Sequence, residues 1–235
     1  MHDVVKVNWS GGKDSTCAVL KHIERGDKVI AVCYIPMLTD EIPLLLKEHY
    51  EFILNAADRF RTMGATVYIV HGMTYYDYVH KRSTRGKFKG RAFGFPMIQR
   101  GRCGLKRDSK LKALGSLSIE CDYEDIGIAF DEPSRASFIS ETKRSILCDL
   151  QITEDDALLY CLKRGFLSPH YDFLRRDGCV LCPHAGSKER KKWLQQYPEA
   201  KPVILELQEF VKRERPGQFP LRGLKLFIED DGTIN

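Results

Sequence analysis

The stretch that most constrains the fold lies at the start of the chain. Val4 to Trp9 is a short, mostly apolar run rich in β-branched residues that stops at Ser10-Gly11-Gly12 and passes into a helical pattern carrying Cys17, Ala18, Leu20 and Ile23. That is strand, loop, helix, and the alternation continues. Val29 to Ile35 reads as a second buried strand, Leu44 to Met63 as a long amphipathic helix closed by Gly64, and Thr66 to Val70 as a third strand. Such alternation implies a parallel sheet joined by crossover helices. Ser109 to Leu114 reads as helix and Ile126 to Phe130 as another strand, ending at Asp131-Glu132-Pro133, where ligand groups commonly collect. The expected fold class is α/β, with a Rossmann-like parallel sheet over residues 1–139.

From about residue 140 helices dominate. Thr153 is a suitable N-cap, acids fill the next turn at Glu154, Asp155 and Asp156, and Gly165 follows, which predicts a helix over Glu154–Arg164. Further helices are expected over Lys188–Gln196 and Val203–Arg213. Residues 140–235 thus read as a mainly helical C-terminal region with a cysteine-containing loop at Cys179-Val180-Leu181-Cys182-Pro183.

At 235 residues, 43% hydrophobic and 29% charged, the chain has the make-up of a globular protein and not of a disordered one. No apolar run approaches the roughly 18 residues of a membrane helix, and the early charged strand leaves no room for a secretory signal. The expectation is a cytoplasmic protein. The net charge of +5 is unevenly spread: Lys81 to Lys112 hold 12 lysines or arginines against a single acid, Asp108. Such a stretch suits a phosphate-rich partner, whether a nucleotide or a nucleic acid such as tRNA or DNA.

A strand delivering Ser10-Gly11-Gly12-Lys13-Asp14-Ser15 into a helix makes a phosphate cradle. The glycines let backbone N–H groups approach, and the helix N-terminus carries partial positive charge. Lys13 neutralises a phosphate oxygen in this reading, Ser10 and Ser15 offer hydroxyls, and Asp14 orients the loop or helps to hold Mg²⁺. The spacing matches neither G-x-x-x-x-G-K-[ST] nor G-x-G-x-x-G, so neither a Walker-type NTPase nor a nicotinamide enzyme is supported.

This loop resembles the PP-loop of ATP pyrophosphatase-type enzymes. Three more segments narrow the resemblance to the phosphoadenosine phosphosulfate (PAPS) reductase-like family: Arg102-Cys103-Gly104-Leu105-Lys106-Arg107, Ile126-Gly127-Ile128-Ala129-Phe130-Asp131-Glu132-Pro133-Ser134-Arg135, and Gly178-Cys179-Val180-Leu181-Cys182-Pro183. The resemblance implies binding of ATP or another adenine nucleotide, often with cleavage between the α- and β-phosphates. It further implies that Asp40 and Glu132 lie near the nucleotide and that Lys106, Arg107 and Arg135 reach its phosphate or sulfate groups.

Eight cysteines are present, and the C-x-x-C spacing of Cys179 and Cys182 sets two thiolates on one metal or cluster, with Cys103 joining from a distant segment. Spacing alone does not separate an iron–sulfur cluster from zinc, and the resemblance favours [4Fe–4S]. The family pattern has a tandem cysteine pair where this chain has Arg102-Cys103. Either the fourth ligand comes from elsewhere, with Cys161 the candidate and Cys148 and His184 the alternatives, or no cluster forms. Cys17, Cys33 and Cys121 lie in apolar contexts and read as buried free thiols.

Together these features predict an ATP-dependent nucleotidyl-transfer or sulfur-transfer enzyme. Two alternatives stand beside it: a sulfonucleotide reductase, and a nucleotide- or nucleic-acid-binding module without turnover. Reduction in the family uses a cysteine on the C-terminal tail, whereas the last cysteine here is Cys182.

Overall fold

The computed structural model describes residues 2–99, 102–174, 178–182 and 185–218. Its main elements in chain order are β1 (Val4–Trp9), α1 (Lys13–Arg25), β2 (Lys28–Tyr34), α2 (Lys47–Thr62), β3 (Thr66–Val70), α3 (Tyr75–His80), β4 (Ile98–Gln99), β5 (Arg102–Cys103), α4 (Leu111–Gly115), β6 (Tyr123–Ile126), β7 (Lys143–Arg144), α5 (Ile146–Asp149), α6 (Glu154–Lys163), α7 (Ser187–Gln196) and α8 (Ala200–Glu214). The chain divides into two compact units. The first comprises Met1–Tyr34, Glu48–Val70 and Ser116–Asp177, and the second Ile35–Lys47, His71–Gly115 and Gly178–Asn235. The boundary expected at residue 139 falls inside the first unit. Among the described residues no helix is long and apolar enough to cross a membrane.

The first unit holds the expected α/β architecture, a five-stranded parallel sheet in the order β3-β2-β1-β6-β7. β1 is central, and Val5, Val7 and Trp9 are all buried on it. The Trp9 indole N–H donates to Thr16 Oγ1 at 3.0 Å, fixing the first turn of α1 to the strand that precedes it. Trp9 also meets Phe60 of α2 edge-on at 5.2 Å, and Phe60 stacks on Phe166 at 5.0 Å. Farther along α1, buried His22 bridges Asp27 (2.7 Å) and Asp125 of β6 (3.0 Å), while Asp125 also accepts the Ile146 N–H at 2.7 Å. A single carboxylate thus joins strand, α1 and the start of α5.

Two expected elements are displaced here. The strand expected over Ile126–Phe130 is instead Tyr123–Ile126, because register with β1 pairs Val5 with Tyr123 and Asn8 with Ile126. The chain leaves the sheet at Gly127, whose missing side chain gives room for the loop after β1. A Cβ there would lie 2.7 Å from Ser15 N and 2.8 Å from Ser15 Cα, both backbone atoms. The helix expected from Leu44 begins at Lys47. Upstream, the Leu44 N–H donates to the Pro36 carbonyl (2.8 Å) and the Leu38 N–H to the Ile42 carbonyl (2.7 Å), so those groups are committed outside a helix. By contrast, α6 starts where expected, with a capping box between Thr153 and Asp156.

The second unit carries α3, α4, α7 and α8 and the small antiparallel pair β4-β5. The helix expected over Ser109–Leu114 is split: a wide π-helical turn covers Lys106–Lys110 and α4 follows. Inside that turn Ser109 donates to the Met73 carbonyl at 2.7 Å. Buried Asp108 pairs with Arg107 at 2.6 Å and with Lys81 at 2.9 Å. The Arg107 hydrogen bond outweighs burial and, with Lys81, holds the Asp108 carboxyl at about 2. A pKa depressed on folding contributes stability that is full above the unfolded value near 4 and is lost as pH falls through about 2. Arg107 is largely exposed, so we expect about 1–2 kcal/mol from this carboxylate. Denaturant midpoints measured between neutral pH and about pH 2 should show Asp108→Asn less stable than the parent near neutrality and converging on it in acid. A constant gap across that range would show that ionisation of Asp108 does not stabilise the unit.

Candidate functional site

The sheet order places a topological switch point in the first unit. From β1 the chain runs outward through β2 to β3, then returns to β6 on the other side of β1. The loops leaving the carboxyl ends of β1 and β6 therefore diverge, and ligands of open α/β sheets bind in such a crevice. The loops concerned are 10–15 and 127–135, two of the segments singled out in the sequence.

Loop 10–15 is held in shape by its own side chains. Ser15 Oγ donates to the Gly12 carbonyl (3.1 Å) and accepts the Ser10 N–H (3.1 Å), while Ser10 Oγ accepts the Gly12 N–H at 3.3 Å. Both hydroxyls take part in hydrogen bonds within the loop. Gly11 has φ +81°, and a Cβ on it would lie 2.6 Å from Ile53 Cγ1 and 2.9 Å from His49 Cε1 of α2, so conformation and space both require glycine. Behind it, buried His49 and His170 each place Nδ1 on the Ser168 hydroxyl, at 3.0 and 2.8 Å. Gly12 is the N-cap of α1 and provides no side-chain cap. The Lys13 N–H donates to the Tyr171 hydroxyl at 3.0 Å. Among the described residues the Asp14 and Ser15 N–H groups have no protein acceptor, and they point where an anion is stabilised at a helix start.

The Lys13 ammonium lies 2.9 Å from Asp14 and 2.8 Å from Glu154, the first residue of α6. Burial opposes its charge, but the hydrogen bonds to Glu154 and Asp14 prevail and raise its pKa. Asp14 is also pushed up, first by burial and then by the charges of Glu154 and Glu132, against the pull of Lys13. One ammonium thus holds two carboxylates, Asp14 and Glu154, and Asp14 also feels the charge of Glu132. Glu132 in turn accepts the Ala129 N–H (3.2 Å) and pairs with Arg135 at 2.8 Å. The structure therefore brings Ser10, Gly11, Gly12, Lys13, Asp14, Ser15, Glu132 and Arg135 into one unit. Asp40, Lys106 and Arg107 belong to the other, where all three are exposed and Arg107 is engaged by Asp108.

Two expected ligand candidates also lie in the first unit. The buried Cys161 thiol donates to the Lys13 carbonyl at 3.3 Å, and its hydrogen bond with Cys17, reinforced by burial, raises its pKa and keeps it protonated. Cys148 donates to the Ile128 carbonyl at 3.4 Å. His184, Pro183 and the tail beyond residue 218 lie outside the described residues.

In the second unit the C-x-x-C segment closes a turn, with the Cys182 N–H donating to the Cys179 carbonyl at 3.0 Å. Fixed to α3 is Tyr75, whose ring is 1% exposed and whose buried hydroxyl has no hydrogen-bond partner among the described residues. Burial raises the Tyr75 pKa well above its ordinary value, and the nearby thiols of Cys179, Cys103 and Cys182 add to the rise. Cys103 and the Cys179/Cys182 pair, distant from each other in sequence, thus all lie near enough to one buried, unsatisfied hydroxyl to act on it. Among the described residues no three His, Cys, Asp or Glu side chains already form a group that would hold a metal ion.

Tyr171, Glu154 and Tyr75 are the site residues that sequence reasoning missed. Glu154 carried only a helix-start signal, and the two tyrosines carried none. No protein-family model matches this chain, and no curated protein matches its sequence.

Proposed function

We propose that the chain is a PP-loop enzyme of the PAPS reductase-like kind, which binds ATP or a related adenine nucleotide in the first unit and releases pyrophosphate in nucleotidyl or sulfur transfer. The observation that carries this reading is the seating of loop 10–15, with its uncapped helix start and Lys13, at the switch point of a parallel sheet. Lys13 and the amides of Asp14 and Ser15 bind the phosphates, and the surplus of carboxylate around Lys13 suits a divalent cation. Mg²⁺ is commonly bound by one or two carboxylates plus substrate phosphates, so Asp14, with Glu154 on the other side of Lys13, fits it without a protein cage. When bound, the ion neutralises developing charge on the phosphates. Arg135 exchanges Glu132 for a phosphate or sulfate group, and Asp40, Lys106 and Arg107 are further nucleotide contacts by resemblance alone.

In the second unit Cys103, Cys179 and Cys182 would hold an iron–sulfur cluster, with zinc the alternative. The orphaned Tyr75 hydroxyl fits either, because a bound thiolate would give it the acceptor it lacks. Cys161 would be the fourth ligand, with Cys148 and His184 the alternatives; in the structure the Cys161 and Cys148 thiols donate to the Lys13 and Ile128 carbonyls and would have to give up those bonds. The basic residues 81–112 make nucleic acid a candidate substrate.

The deciding experiment is anaerobic purification with metal analysis, followed by incubation with ATP and Mg²⁺ and assay of pyrophosphate and AMP. Pyrophosphate release that depends on Lys13 supports the proposal. A metal-bearing protein that leaves ATP intact would transfer the reading to sulfonucleotide reduction, and a metal-free inert one to a binding module.

The junction of the two loops has its own test. Gly127→Ala introduces a methyl into the Ser15 backbone, and we expect a loss of about 1–3 kcal/mol with weakened nucleotide binding. A variant with unchanged denaturation midpoint and unchanged binding would show that the loops do not touch.

A further inference from the structure

Within the basic stretch of the second unit, residues 82–92 form an ordered hairpin. An Arg82–Ala92 bridge closes its base. Inside, the Ser83 N–H donates to the Arg91 carbonyl (2.9 Å), Gly90 to Ser83 (2.7 Å), Lys89 to Gly86 (3.1 Å) and Arg91 to Phe88 (3.0 Å). Gly86 and Gly90 take positive φ, 69° and 79°, at the two bends. The root is anchored within the same unit: Arg82 pairs with Glu214 at 3.1 Å, and Arg215 donates to the Ala92 and Phe93 carbonyls at 2.7 and 3.0 Å. Four backbone hydrogen bonds and an anchored base thus hold the segment in one shape.

The tip has an unusual content. Arg85, Lys87, Lys89 and Arg91 are all exposed, the segment 82–92 has no acid, and among the described residues no carboxylate pairs with any of the four. Between them stands Phe88, 50% exposed, with Lys87 Nζ 5.1 Å and the Arg91 guanidinium 5.6 Å from its ring centroid. A solvated charge run does not call for an aromatic ring at its centre. Cations set around an exposed π-face on a hydrogen-bonded hairpin match a polyanion that also presents flat aromatic faces, which is single-stranded nucleic acid. In duplex the base faces are stacked away, and a polyanion without bases offers Phe88 nothing.

We propose that the hairpin 82–92 binds single-stranded nucleic acid, with Phe88 stacking on a base and Arg85, Lys87, Lys89 and Arg91 contacting flanking phosphates. This deepens the enzyme reading by giving its substrate class, yet it stands on different residues. The test is fluorescence anisotropy on the full chain, using labelled single strands of about a dozen nucleotides, as RNA and as DNA, with matched duplex, heparin and acidic lipid vesicles as competitors. Phe88→Ala should weaken single-strand binding about 10- to 100-fold and leave heparin binding unchanged. The pair Lys87→Glu/Lys89→Glu should weaken both and flatten the salt dependence. Because all three side chains are exposed, the variants should keep the parental melting temperature. Unchanged single-strand binding in Phe88→Ala, or equal competition by duplex, heparin or vesicles, overturns the proposal. Lys13→Met should bind the oligonucleotides as the parent does. A chain that binds them without releasing pyrophosphate would refute the enzyme reading and leave this one standing.

Discussion

Lys13→Met should lower pyrophosphate release from ATP by at least about 100-fold while the protein keeps its fold, as judged by circular dichroism. Methionine retains most of the apolar stem and removes only the ammonium, so the change isolates charge. That ammonium pairs with Asp14 and Glu154, whose hydrogen bonds raise its pKa, and it stands at the start of α1 beside the loop that would hold a phosphate. Two effects therefore act together in the variant. The phosphate loses its counter-charge, and the Asp14 and Glu154 carboxylates, left without their shared partner, repel it. Added Mg²⁺ should recover part of the nucleotide binding and little of the turnover, because an ion neutralises the carboxylates but does not restore a donor aimed from the helix start. Turnover within a few-fold of the parent would remove Lys13 from the chemistry, and with it the central support for the enzyme reading.

The second large effect concerns the thiols. Paired Cys179→Ser/Cys182→Ser should take the purified protein from about four irons per chain to none and abolish visible absorption. Tyr75→Phe is the sharper probe, since it leaves every candidate ligand in place. If the hydroxyl donates to a bound thiolate, its loss should weaken metal retention about 10- to 100-fold against a chelator and shift the visible spectrum. In the metal-free protein the same change removes a buried hydroxyl without a partner, and stability should then stay level or rise by about 1 kcal/mol. Opposite signs in the loaded and empty forms are the signature of a donor to the metal site. A structural tyrosine would shift both forms alike, and a parent that never carries metal would dismiss the cluster and leave Tyr75 as a core residue.

Much of the first unit was legible in the residues, and the limits have physical causes. Short apolar runs rich in β-branched residues, with glycines near their ends, located β1, β2 and β3, and the N-cap at Thr153 with its following acids placed α6. The β6 segment was misplaced toward Ile128 because Ile128 and Ala129 are as apolar as a strand, and their burial arises in a loop. The true register depends on which residue faces Val5, a fact that no local pattern contains. Within loop 10–15, glycines and lysine carried the signal, while the hydrogen bonds by which Ser10 and Ser15 hold the loop in shape have no pattern of their own in the sequence. Tyr171 and Tyr75 were invisible because a single aromatic residue looks the same whether its hydroxyl caps a helix, faces thiols or meets water.

The route of the chain has a consequence for synthesis. It passes between the two units five times, at residues 34/35, 47/48, 70/71, 115/116 and 177/178. Neither unit is a continuous stretch, so no fragment taken from either end reproduces one of them. On the ribosome β1 waits for β6, its sheet neighbour more than a hundred residues later, and half of the central strand's hydrogen-bonding edge stays open until then. Pairing at such separation is slow and exposes strand edges to the wrong partner. The nascent chain should therefore depend on protection until residue 126 has emerged, and truncation before that point should yield aggregate and not a smaller folded protein.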